Sequence, residues 1–72
     1  MIIKWEREIQ AFETVKYVIQ RVFYHEKELY SLTKFYKVVD TGGWLPKKNI
    51  MIDFRSAEEL MQILAEDFKQ GE

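Results

Sequence analysis

"VKYVIQRVFYHEKELYSLTKFYKVV", residues 15–39, decides how the chain folds. Its first ten residues are rich in β-branched and aromatic side chains and contain neither Gly nor Pro, the composition of a strand. Strand alternation puts Val15, Tyr17, Ile19, Arg21 and Phe23 on one face, and Lys16, Val18, Gln20, Val22 and Tyr24 on the other. "HEKE" is a polar interruption suited to a hairpin loop, and "LYSLTKFYKVV" reads as the returning strand. On that strand Tyr30, Leu32, Lys34 and Tyr36 point one way, and Leu29, Ser31, Thr33 and Phe35 the other.

Downstream, "DTGG" (residues 40–43) is a turn: Asp and Thr bond locally to the backbone and the glycines accept positive φ. "WLPKK" then reads as a loop and "NIMIDF" as a further short strand. Ser56 with Glu59 three residues later is a capping-box pattern, predicting a helix over 56–69. Its apolar residues Ala57, Leu60, Met61, Leu64, Ala65 and Phe68 form one stripe with Ile63 to the side, an arc of about 200° where one packing surface needs roughly 100° or more. Leu60, Ile63, Leu64 and Phe68 are the candidate dimer contacts. Upstream, residues 1–14 are ambiguous. Ile2, Trp5, Ile9 and Phe12 follow a helical spacing, yet Ile3, Trp5, Arg7, Ile9 and Ala11 alternate, and the neighbouring sheet favours a strand. The expected class is therefore α+β: about four antiparallel strands, with the sheet over 15–55, followed by one C-terminal helix in a single domain.

A chain of 72 residues buries only about 60% of the surface its unfolded form exposes, so a partner is expected to complete the core. The absence of Cys removes disulfides, thiolate zinc sites and cysteine nucleophiles. No apolar run approaches the roughly 18 residues of a membrane span, and the N-terminus carries charges where a signal peptide needs an apolar centre. The expectation is a soluble intracellular protein of the cytoplasm, nucleoid or nucleus. Its net charge of −1 hides a segregation: residues 14–52 carry seven Lys and Arg against three Asp and Glu, whereas residues 53–72 carry two against six.

Catalytic constellations are weak. "VVDTGG" resembles the active-site turn of retroviral-type aspartic proteases, with Asp40 as the acid, but no second apolar-Gly element comes after it and a plain turn is the favoured reading. His25 is the only His and has Glu26 and Glu28 beside it, as a solvated loop residue would. "GGW" lacks the strand-loop-Lys-helix context of a phosphate loop. No enzymatic activity, metal or cofactor is expected.

What remains is rings interleaved with cations, the pairing that suits single-stranded nucleic acid: bases stack on aromatic faces while Lys and Arg follow the phosphates. The stacking candidates are Tyr17, Phe23, Tyr36 and Trp44; the phosphate candidates are Arg21, Lys34, Lys47 and Lys48. Against this, about half the aromatics of so small a chain are needed as core. Tyr36 and Trp44 are expected at the surface, with Phe35 and Leu45 filling the interior.

The order "RVF…KELYSLTKFY…GGWLPKKNIMI…SAEELMQIL" resembles the positive cofactor four family, transcriptional coactivators and microbial relatives that bind single-stranded DNA. Arg21 and Phe23 match its R-x-F strand end, and Lys27, Leu29 and Leu32 the next strand, which closes on the aromatic pair Phe35 and Tyr36. Gly43, Trp44, Pro46, Lys47 and Lys48 match its basic loop, and Ile50 and Ile52 its next strand. The resemblance spans residues 15–68. Departures are a first hairpin longer by one residue, Asn49 where Gly is usual and Thr33 where a basic residue is common. It implies a curved antiparallel sheet, homodimerisation largely through the helices, and single-stranded DNA as ligand. RNA and transcription or replication proteins are further partner classes; a small dimeric protein-protein adaptor is the alternative.

Overall fold

The computed structural model describes residues 1–70. Four strands, β1 (Ile2–Phe12), β2 (Val15–Tyr24), β3 (Lys27–Lys37) and β4 (Trp44–Asp53), form one antiparallel sheet in the order β1-β2-β3-β4, and α1 (Phe54–Gln70) comes directly after β4. The α+β class and the strand count agree with the sequence reading. Among the described residues no helix is long and apolar enough to cross a membrane.

β1 resolves the ambiguity of the N-terminal segment. Its pairing with β2 slips by one residue between Ile3 and Trp5 and again between Gln10 and Phe12, leaving Lys4 and Ala11 as bulge residues. Each extra residue reverses the strand's alternation. Ile2, Trp5, Ile9 and Phe12 therefore oppose Phe23, Arg21, Tyr17 and Val15, all on one face of the sheet, so two bulges produce the spacing that imitates a helix.

The β2–β3 connection is tighter than the four-residue loop expected. Tyr24 pairs with Lys27, and His25 (φ 50°) with Glu26 (φ 62°) makes the turn, both in the left-handed conformation whose twist matches a two-residue hairpin. After β3, the turn at 38–43 closes through Val38 N–H to Gly43 O (2.7 Å) and Gly42 N–H to Val38 O (2.8 Å), with Gly42 at φ 73°. "WLPKK" is not a loop: β4 begins at Trp44. Lys34 pairs with Lys48 and Phe35 with Pro46, so Lys47 is a bulge residue. Pro46 cannot donate to a ladder, and an edge strand beside a bulge tolerates that.

The helix also starts earlier than expected. Asp53, not Ser56, is its cap: the Asp53 carboxylate accepts the Ser56 N–H (3.1 Å), which pulls Phe54 and Arg55 into the first turn. Bonding to Ser56 lowers the Asp53 pKa. Only that turn meets the sheet, through half-buried Phe54 and Ala57; every residue from Glu58 to Gln70 is exposed.

The fully packed core is small and lies on the face away from the helix. Val18, Val22 and Ser31 are its buried residues. Longer side chains cross over them: Asn49 donates to Ser31 Oγ and Thr33 Oγ1 (both 2.7 Å), and Gln20 donates to Glu6 (2.7 Å).

Candidate nucleic-acid interface

Strand alternation and register together decide which candidates meet. On the helix side of the sheet Tyr17 opposes Lys34, and Lys34 opposes Lys48, forming one rung across three strands. Tyr36 stands one rung further out. The Lys34 ammonium lies 5.0 Å from the centre of the Tyr36 ring and 6.0 Å from that of Tyr17, within cation–π range. Lys47 joins this group because of the bulge. In a regular strand consecutive residues point to opposite faces, but here Lys47 and Lys48 both line one open pocket of about 430 Å³ with Lys34 and Tyr36. Hydrogen bonding with Lys34 lowers the Tyr36 phenol below its ordinary pKa, and the charges of Lys47 and Lys48 act the same way; the bond to Tyr36 raises Lys34.

Arg21 and Phe23 occupy the other end of that face. Arg21 is four residues from Tyr17 along β2, about 13 Å. The rung between them is apolar, Ile19 opposing Leu32 and Leu32 opposing Ile50. Arg21 Nη2 donates to Glu28 (2.8 Å), its guanidinium lies 4.7 Å from the Phe54 ring centre, and its Nε is buried without a partner. Glu28 also accepts from Lys4, which lies over Phe23. The bonds from Lys4 and Arg21 hold the Glu28 carboxyl below the usual carboxylate range, and the bond to Glu28 raises Arg21. Arg21 is thus engaged within the protein at the helix root.

Trp44 lies on the opposite face from Tyr36. It is half-buried, whereas Leu45, expected inside, is 55% exposed. Strand pairing begins at Trp44, so the alternation turns its ring to the same side as Phe35 and gives Leu45 the outward position beside Tyr36. Between the two rings lies Lys16, 4.6 Å from the Trp44 centre and 5.7 Å from Phe35, with Glu8 2.8 Å from its ammonium. Neither Lys16 nor Glu28 stood out in the sequence. Their partners are 7 to 28 residues away, and only the register brings them together.

On the helix side, Leu60, Leu64 and Phe68 line an apolar groove of about 630 Å³ between α1 and the sheet, with Trp5, Tyr30 and Ile52 opposite. Ile63 points elsewhere on α1 and is 63% exposed. No protein-family model, no curated protein and no solved structure matches the chain.

Proposed function

We propose that the protein is a homodimeric, non-enzymatic single-stranded nucleic-acid-binding domain, with DNA as its ligand, acting as a coactivator-type protein in transcription. The observation that carries the binding is the convergence of Lys34, Lys47 and Lys48 with the rings of Tyr17 and Tyr36 at one end of the sheet. Exposed Tyr36 offers a face to an unpaired base, and the lysines neutralise the phosphates beside it. Trp44 is a separate stacking surface on the other side. The transcriptional setting rests on the resemblance to the positive cofactor four family.

Dimerisation is supported by surface area. A folded monomer of 8.8 kDa exposes about 4,800 Å² by the size scaling of compact proteins, and this chain exposes 6155 Å². The excess of about 1,400 Å² is more than the roughly 800 Å² one partner contributes to a stable interface. The exposed stripe Leu60, Leu64 and Phe68 is the surface a second copy would cover. The same stripe suits another protein, which is the adaptor reading.

Anisotropy titrations with single-stranded and duplex oligonucleotides of one sequence test the binding. The single strand should bind tighter, with log affinity falling against log salt at about −0.7 per neutralised phosphate, steeper than about −1 in all. Equal failure of both oligonucleotides at low salt would leave the adaptor.

A further inference from the structure

On the reading of this chain as a nucleic-acid-binding protein, we propose that the Lys34–Tyr36–Lys47–Lys48 pocket receives the end of the strand, a terminal phosphomonoester, in preference to an internal phosphodiester. Three arguments carry this.

Charge is the first. An internal phosphodiester bears one negative charge, while a terminal phosphate bears about −1.5 to −2 near neutral pH and offers three acceptor oxygens. Three ammonium groups around a single pocket match the second better than the first.

The second argument is that the free protein holds these charges at a cost. Lys34 and Lys48 are direct cross-strand partners, and like charges in that position destabilise a sheet. The bulge adds Lys47 to the same side, where ordinary alternation would have sent it to the other face. A dianion relieves this repulsion more fully than a monoanion.

Access is the third. Inward from the pocket the next rung is Ile19, Leu32 and Ile50, of which Ile19 and Leu32 already line the apolar groove under the helix. A polyanion continuing along this face would run onto apolar surface. A chain end does not have to continue.

The experiment compares one short single strand, dye-labelled internally, in three forms: 5′-phosphate, 3′-phosphate, and hydroxyl at both ends. At least one phosphorylated form should bind about tenfold tighter, the effect of one added charge-assisted hydrogen bond. Which form gains assigns the end. The gain should vanish in K47Q/K48Q and persist in K27Q, a charge removed on the other face. Pyrophosphate alone should raise the melting midpoint of wild type and not of K47Q/K48Q. If all three strands bind equally well, the pocket takes internal phosphates and the proposal falls while nucleic-acid binding stands. A gain retained in K47Q/K48Q would be long-range attraction and would overturn it too. Binding to none of the strands would overturn both.

Discussion

His25 and Glu26 carry the hairpin in left-handed backbone at φ 50° and 62°, where side chains with a Cβ are disfavoured. The twist of β2 and β3 imposes that turn, and neither residue relieves the strain as Asn-Gly would. Glu26→Gly should therefore stabilise the fold by about 1 kcal/mol, read as a higher urea midpoint at unchanged slope; a lower midpoint would mean the turn is held by the Glu26 side chain. Glu28 is the other decisive residue, because it accepts from Lys4 and Arg21 and its pKa is lowered by both. A carboxyl whose folded pKa is depressed contributes stability in full above its unfolded value of about 4.3 and loses it as pH falls through the folded value. Glu28→Gln should be less stable than wild type at neutral pH, and the gap should narrow on acidification below about pH 4. A gap independent of pH would show that the ion pairs add nothing beyond the packing of the side chain.

Elements here are shaped by single residues placed off the regular pattern. Lys4, Ala11 and Lys47 each add one residue to an edge strand and reverse the facing of the residues beyond it, so that Lys4 reaches Glu28 and Lys47 joins Lys48. The start of α1 depends on Asp53, the last residue of β4, whose carboxylate takes the Ser56 N–H at the first turn. Asp53→Ala should lower the melting midpoint and fray the helix start, seen as faster amide exchange at Ser56, while Ser56→Ala, which keeps the backbone donor, should have the smaller effect. The reverse ranking would restore Ser56 as the cap. Because Phe54 of that turn packs on Tyr30, with ring centres 4.8 Å apart, and lies under Arg21, fraying should also loosen the helix root.

The whole molecule is a slab of 40 × 40 × 17 Å with a radius of gyration of 14.5 Å, where a compact chain of its length has about 11 Å. One sheet and a helix touching it by a single turn cannot enclose a large interior. Leu60, Met61, Leu64 and Phe68 are left between 48% and 73% exposed beside the groove. Leu64→Lys puts a charge at the groove and should shift the protein from dimer to monomer in light scattering, more than Ile63→Lys, which lies outside it. Wild type already monomeric at high micromolar concentration would remove the second copy as the occupant. The sequence by itself determined the strands β2 and β3, their two faces, the turn at the glycines and the apolar stripe of α1. Those come from alternation, β-branched composition and helical periodicity, which are properties of neighbours along the chain. Only the tertiary structure decided that β1 carries two bulges, that β4 starts at Trp44, and that Asp53 caps the helix. It likewise parted Trp44 from Tyr36 and tied Arg21 to Glu28 while gathering Lys34, Lys47 and Lys48. The cap is a bond between residues three apart, settled where β4 passes into α1; the others depend on cross-strand register, and one bulge residue reverses every face assignment beyond it, so no local pattern could supply them.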